Sequence, residues 1–468
     1  MTDFATFQSN LQSRFRSLGV KLFVVCGLAL LMLIPALLVG GLVDERTSRE
    51  AQVVSEVSAH VGGQQTFLGP ILSVPYRIPA QTGSTYEARG TYFVFPTNAS
   101  AALKTVTEER RRSLFKVPVF QADAKFDAAF DLSGVPNSLP AKAELDWNRA
   151  EILVGVSDAR GALADATSTI EGKSSTLVPA EIAQSISVGG DQGSQLKLTL
   201  FGSKLEGVAK PNAQFSVTSN LRFSGAQRIA VLAYGKTTHV KTQGDWPSPG
   251  FDGGFLPVSR TVTKDGFAAE WSVPFIARGV RAEGENDAIT GLGTTSLGVS
   301  FIEVADPYQS VNRALKYVPL FLGWVFISYF IFEVTTGKRI HPAQYVLIGI
   351  AQVIFYLLLL SLAERIGFDL GFLLASAGTV ALLSANAGWI FASRIQGFRA
   401  FAIFGCLYGL IYLLLRLEDN ALLVGAIASF LAVAAAMYFT RGIDWYSPLS
   451  GTGLRSSQNP IAGPDGVA

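Results

Sequence analysis

The chain has 468 residues, 49% hydrophobic and only 16% charged, with a mean hydropathy of +0.34. Soluble domains carry closer to about a quarter charged residues, so the deficit points to segments that face lipid. The net charge of +2 leaves no concentrated basic face of the kind nucleic acid requires.

Residues 1–17 place Phe4, Phe7, Leu11 and Phe15 at helical spacing beside Arg14 and Arg16. That pattern fits a short helix lying on the cytoplasmic surface of a membrane, or an inward extension of the first span. The first span is predicted over residues 18–42, interrupted by Lys21 and Pro35. About 20 apolar residues cross roughly 30 Å of hydrocarbon. The run is too long for a cleaved signal peptide and continues into Asp44-Glu45-Arg46, which predicts a retained anchor. Residues 44–60 read as helix, with Val53, Val54 and Val57 on one side.

From residue 66 the pattern changes to period two, which predicts strands. Ala124, Phe126 and Ala128 alternate with Lys125 and Asp127, and Leu196, Leu198 and Leu200 with Lys197 and Thr199. Phe267, Ala269, Trp271 and Val273 repeat the pattern, as do Leu297, Val299 and Phe301. Turn clusters at Lys210-Pro211-Asn212, Ser248-Pro249-Gly250 and Gly189-Gly190-Asp191 punctuate these runs. Residues 43–314 are therefore expected to form an all-β, sandwich-like region of antiparallel sheets, as one domain or two.

Five further spans are predicted near 315–334, 343–363, 369–391, 398–416 and 421–439, so that 315–440 forms a helical bundle. Lys and Arg in the short flanks set the orientation. Arg14, Arg16, Lys21, Lys338, Arg339, Arg394, Arg399 and Arg441 fall on one side. Glu364, Arg365, Asp369, Arg416, Glu418 and Asp419 fall on the other. The fold class expected is a bundle of six transmembrane helices plus a large extracytoplasmic all-β domain. Both termini, including the tail 441–468, are expected in the cytoplasm, with residues 43–314 on the opposite side of the membrane.

The two cysteines, Cys26 and Cys406, both lie inside spans, so the middle region holds no disulfide and no thiolate zinc site. His60, His239 and His341 are far apart, with no metal-ligand spacing. No metal, cofactor or catalytic residue is assigned, and no enzymatic activity is expected. Gly172-Lys173-Ser174 lacks the upstream glycine of a phosphate loop and reads as a turn. Glu108–Arg112 reads as a solvated charge block.

Glu333 is the most informative ionisable residue, because intramembrane carboxylates are costly. Its structural reading, a headgroup-level pair with Arg339 or Lys338, is favoured over a functional one. His341 precedes Pro342 at a helix start, where its ring is expected to cap the helix or meet Glu333; a proton-sensing pair is the sharper alternative. Asn386 is expected to hydrogen-bond a neighbouring helix. Gly405 with Gly409, Ser384 with Gly388 and Gly425 with Ser429 are close-packing pairs. Asp158 with Arg160, and Asp245 beside Trp246, are the only outward acidic positions worth checking, each read first as a turn.

Several stretches carry a resemblance. They are Val156-Ser157-Asp158-Ala159-Arg160-Gly161, then Asp245-Trp246-Pro247 leading into Gly254-Phe255-Leu256-Pro257, then Asp306-Pro307-Tyr308-Gln309 with Arg313 to Tyr317. Phe332-Glu333 with Arg339 to Tyr345, Phe355 to Leu360, and Arg441 to Ser447 complete the set. In order and spacing the chain resembles the CreD family of bacterial inner-membrane, cell-envelope proteins. One departure is Ser248, where members often carry histidine, so a histidine-based role there does not transfer. The resemblance implies an envelope-stress protein under two-component control, linked to β-lactam and colicin responses, with no established enzyme activity. The expected function is envelope integrity, with the β-domain sensing or binding an envelope component or partner protein. The alternative is a transporter or channel using Glu333, His341 and Asn386. Expected partners are the lipid bilayer, an envelope or membrane protein, and a second copy of the chain, but no nucleic acid.

Overall fold

The computed structural model describes residues 18–79, 88–112, 114–137, 139–140, 142–189, 195–301, 307–417 and 421–441. The N-terminal segment, the turn residues Gly190 and Asp191, Asp306, Glu418, Asp419 and the stretch from Gly442 onward lie outside them. The described residues divide into two compact units. One joins those before Arg49 to those from 307 on, and the other spans 49 to 301.

The helical unit begins with α1 (Leu18–Leu31) and α2 (Leu33–Val61). The break between them follows from Pro35, whose ring collides with the carbonyl four residues earlier, that of Leu31. Residues 44–60, expected as helix, belong to α2. The remaining helices are α3 (Pro307–Leu315), α4 (Val318–Thr336), α5 (Pro342–Ile366), α6 (Phe368–Ile390), α7 (Arg394–Arg416) and α8 (Ala421–Thr440). Residues 307–314, expected with the β-rich region, form α3 within the helical unit instead. Among the described residues five helices are long and apolar enough to cross a membrane: the α1–α2 stretch from Gly19, and α4 to α7. In α8 the apolar stretch is shorter, Leu423–Ala435.

The β-rich unit holds two sheets among its described residues, one of eleven strands and one of eight. In the first, Gln65–Ile78 is central, beside Glu151–Val156 and Arg228–Leu232. In the second, Asn98–Arg112, Phe115–Asp131 and Gln214–Ala226 form three long antiparallel neighbours. Alternation sends one face of each sheet into a shared core. Phe67 of the first sheet meets Phe126 and Phe223 of the second, with ring centroids 6.0 and 5.6 Å apart. Tyr234 crosses the same core, its hydroxyl donating to the carbonyls of Ser100 (2.7 Å) and Asp127 (3.0 Å).

Three expectations need correction or completion. The sheets are not wholly antiparallel. Gln65–Phe67 pairs parallel to Ile229–Val231, and Asn98–Thr105 pairs parallel to Thr237–Gly244. A parallel partner comes from a distant part of the chain, so local spacing carries no signal of it. Ser248-Pro249-Gly250 is not simply a turn, because Pro249 opens the strand Pro249–Gly253. That strand lies at a sheet edge, where a missing N–H is tolerated. The β-rich region is one compact unit.

Candidate functional site

The most constrained polar cluster lies where α4 turns into α5. Helix α4 stops because Gly337 adopts a left-handed φ of 68°, and its N–H donates to the Glu333 carbonyl at 3.0 Å. Helix α5 starts at Pro342, whose absent N–H costs nothing in the first turn. His341 caps it, Nδ1 accepting from the Ala343 N–H at 3.2 Å. The short connector turns the Ile340 N–H back onto Glu333 Oε1 at 3.0 Å.

Glu333 is 1% exposed, and every bond to its carboxylate is accounted for by a nearby donor. Lys21 of α1 donates to Oε1 and also to the Ile340 carbonyl at 2.9 Å. The Tyr345 hydroxyl of α5 donates to Oε2 at 3.1 Å. A carboxylate stripped of water costs several kcal/mol, roughly recovered only when an opposite charge and further donors surround it. Here both are supplied, so α1, α4 and α5 are stapled at one point.

The expected partner of Glu333, Arg339 or Lys338, is therefore replaced by Lys21. The side chain of Glu333 lies on the buried face of α4 with Phe326, Tyr329 and Phe330. Lys338 follows the Gly337 reversal and donates instead to the Phe391 carbonyl at the end of α6. Arg339 is exposed. His341 is a cap rather than a partner of Glu333.

One turn before Glu333, the Tyr329 hydroxyl donates to the Leu383 carbonyl (2.6 Å) and to Asn386 Oδ1 (3.2 Å). Asn386 thus meets a neighbouring helix, as its position in an apolar run suggests. The Tyr329 ring stacks on Phe404 of α7, centroids 5.6 Å apart.

In the β-rich unit, Asp158 and Arg160 close a single turn. Asp158 Oδ1 accepts from the Arg160 N–H at 3.0 Å, and the Arg160 guanidinium pairs with Oδ2 at 2.6 Å. The Arg160 side chain holds the Asp158 carboxyl below the usual carboxylate range. Gly161 follows, and a Cβ there would lie 2.3 Å from the Ser224 carbonyl oxygen. Around it Gln65 Nε2 donates to the Gly62 and Asp158 carbonyls at 2.8 and 2.9 Å. Ser224 Oγ donates to the Val61 carbonyl at 2.8 Å. The stretch Val156–Gly161 is a collar around the point where α2 becomes the first strand.

Asp245 also makes a structural bond, its oxygens accepting from the Thr107 N–H at 2.8 and 3.1 Å. Trp246 meets Phe301 edge-on at 6.2 Å, and Phe301 packs on Phe120 at 5.1 Å. Phe120 fills the space beside Gly225, next to Ser224. The two acidic positions therefore sit at the same end of the unit, around the entry of the chain at Val61–Gln65 and its exit at Phe301.

The candidates fall in two groups: Glu333, His341 and Asn386 with Tyr329 in the helices, and Asp158, Arg160, Asp245 and Trp246 in the collar. Residue-by-residue reading missed Lys21, Tyr345, Gln65 and Ser224. A signal existed for Lys21, since a lone cation inside an apolar span calls for a buried carboxylate. Of Gly172-Lys173-Ser174, expected as a turn, Gly172 (φ of 81°) lies in the turn, whereas Lys173 and Ser174 open the strand Lys173–Thr176 that pairs back on Thr167–Ile170.

A family model described as inner membrane protein CreD matches residues 17–446. The inner membrane protein CreD of Escherichia coli (strain K12) is 30% identical over 441 residues, covering 91% of this chain and 93% of that protein. The match spans both the stapled helices and the collar. This chain belongs to the CreD family of inner membrane proteins.

Proposed function

We propose that the protein guards envelope integrity without enzymatic chemistry, its β-rich unit binding or sensing an envelope component or a partner protein. In this reading six helices span the inner membrane and both termini are cytoplasmic. Residues 43–314 then lie in the periplasm as a two-sheet sandwich. The basic flanks Lys338, Arg339, Arg394 and Arg399 support that orientation.

The observation that carries the proposal is the way the entry and exit of the β-rich unit are clamped. Gln65, Ser157, Asp158 and Ser224 hold the segment Val61–Gln65 that follows from α2, while Trp246, Phe120 and Phe301 pack at the exit. Val54 and Val57 of α2 lie against Val117, Val119 and Ala226. A ligand that strains the sheets would therefore strain the helix leading to the membrane. The collar acids serve this clamp and are not assigned a reaction.

The transport reading is weaker. Glu333, His341 and Asn386 are engaged with Lys21, Ala343 and Tyr329, so these three do not offer a solute a row of free groups.

The test is a deletion strain challenged with cell-wall inhibitors and complemented by the intact chain. Heightened sensitivity, restored by the intact chain and not by one with Gly161→Val, supports the proposal. Unchanged sensitivity on deletion overturns it.

A further inference from the structure

The segment that follows the strand Gly266–Val273 is built inside out. Its single helical turn, Phe275–Arg278, starts after Pro274 and ends at Gly279, whose φ of 68° is left-handed. Phe275, Ile276 and Ala277 face solvent, with Ile276 92% exposed, while Arg278 is 3% exposed. A surface turn ordinarily does the reverse, because apolar burial is favourable and burying an unpaired charge is costly. Leu256 and Val258 add to the exposed apolar surface. The Val258 N–H donates to the Glu270 carbonyl at 2.8 Å, and the chain there runs antiparallel to Gly266–Val273. Leu256 therefore lies toward Val273 and Pro274, beside the turn.

Nothing among the described residues neutralises Arg278. None of its guanidinium nitrogens has a hydrogen-bond partner there, and the Phe95 ring face lies against it. Burial is the one influence on its charge, with no carboxylate near enough to act. Glu283 accepts instead from the Asn137 N–H and Nδ2 at 3.1 and 2.6 Å. Asp287 pairs with Arg281 at 3.2 Å. Gly279 is exposed, and an added Cβ there would meet nothing within 4 Å, so the turn has open space beside it.

We infer that Leu256, Val258 and the turn Phe275–Arg278 form a docking surface for another protein, through an acidic segment whose carboxylate is flanked by apolar side chains. Aromatic side chains and arginine are the types enriched at protein interfaces. Such a segment covers Phe275 and Ile276 and gives Arg278 the anion it lacks, so both local faults are removed in the complex. The guanidinium turns outward on its own long side chain, and its planar donors suit a carboxylate. A second copy of the chain does not fit, because a two-fold contact here would set two unneutralised guanidinium groups against each other. A lipid surface does not fit the place. The strand Gly266–Val273 starts beside Gly244 and Asp245 at the collar and ends about 23 Å away, at a rise of about 3.3 Å per residue. The turn is thus at the end of the β-rich unit opposite the collar. The inference rests on the proposed binding role of that unit and names its surface and partner class.

The experiment is photo-crosslinking in intact cells, with p-benzoylphenylalanine in place of Ile276 in the full chain. The same replacement of Val262, exposed on the neighbouring strand Ser259–Thr263 nearer the collar, is the control. The expected result is one adduct with a different protein from position 276 and none from 262, joined beside an Asp or Glu. Arg278→Met should cut that adduct at least about tenfold at equal amounts of folded chain, as should neutralising that acid in the captured protein. No adduct, an adduct with lipid or with a second copy, or one indifferent to Arg278→Met overturns the inference. If the deletion strain is sensitive to cell-wall inhibitors and any of these outcomes is found, the envelope role stands and this surface alone is lost.

Discussion

Glu333 in the helical unit and Arg278 in the β-rich unit are both buried charged groups, and their surroundings differ sharply. Glu333 is 1% exposed and surrounded by Lys21, Tyr345 and the Ile340 N–H. Arg278 is 3% exposed, and none of its guanidinium nitrogens has a hydrogen-bond partner among the described residues. Its guanidinium lies 4.2 Å from the centroid of the Phe95 ring. Burial pushes it down to about 10, so it still carries its charge at neutral pH. A ring face returns up to about 2 kcal/mol to a desolvated cation, less than a carboxylate would. Burial alone therefore does not mark a group as stabilising; what surrounds it decides the sign.

The largest effect expected is from breaking the paired charge. Lys21→Met leaves Glu333 buried without its cation and is expected to cost about 3–5 kcal/mol of stability. Thermal unfolding of the detergent-solubilised chain measures it, and a loss below about 1 kcal/mol would contradict the staple. Next is Gly161→Ala, whose Cβ would collide with the Ser224 carbonyl and is expected to cost about 1–3 kcal/mol. Hydrogen exchange at Gly62–Thr66 should rise with it if the collar holds the entry of the chain.

The unpaired charge should answer with the other sign. Arg278→Met keeps bulk against Phe95 and removes the desolvated cation, with an expected gain of up to about 2 kcal/mol. A clear fall in the unfolding midpoint would mean that the guanidinium has a stronger partner than the ring. The smallest mutational effect is at the exposed pair of Asp369 and Arg416, where Asp369→Asn should cost less than about 1 kcal/mol.

A pH dependence sharpens the same contrast. Burial raises the Glu151 carboxyl above its ordinary value, against backbone hydrogen bonds from Ile182 and Glu181 that lower it. The folded form then holds its proton where the unfolded chain has lost it, so this group's contribution falls as pH rises through that window. Glu151→Gln should remove the dependence, so that the intact chain gains stability relative to the variant as pH falls through that window. A loss of stability by the intact chain relative to the variant as pH falls would contradict this sign.

Much of the architecture could be read from one-dimensional patterns, because those patterns are periodic. Apolar runs longer than a bilayer core gave the helices, and alternation such as Phe267, Ala269, Trp271 and Val273 gave buried strand faces. The helix cap at His341 was legible because Pro342 fixes the helix start. Partners across sequence were not. Lys21 and Glu333 stand 312 positions apart, and nothing in local spacing says which helices meet. The collar escaped for the same reason: Gln65, Asp158 and Ser224 come from three strands or turns, and Gln65 alone looks like any polar residue at a strand start.

The most direct test compares folded protein and envelope protection in the same cells carrying Lys21→Met or Glu333→Gln. If Glu333 is a staple and the proposed envelope role holds, protection falls in proportion to the amount of folded chain in the membrane, equally for the two variants. A Glu333→Gln chain that accumulates fully and folds normally, yet protects no better than the deletion, would make Glu333 a working group and contradict the staple.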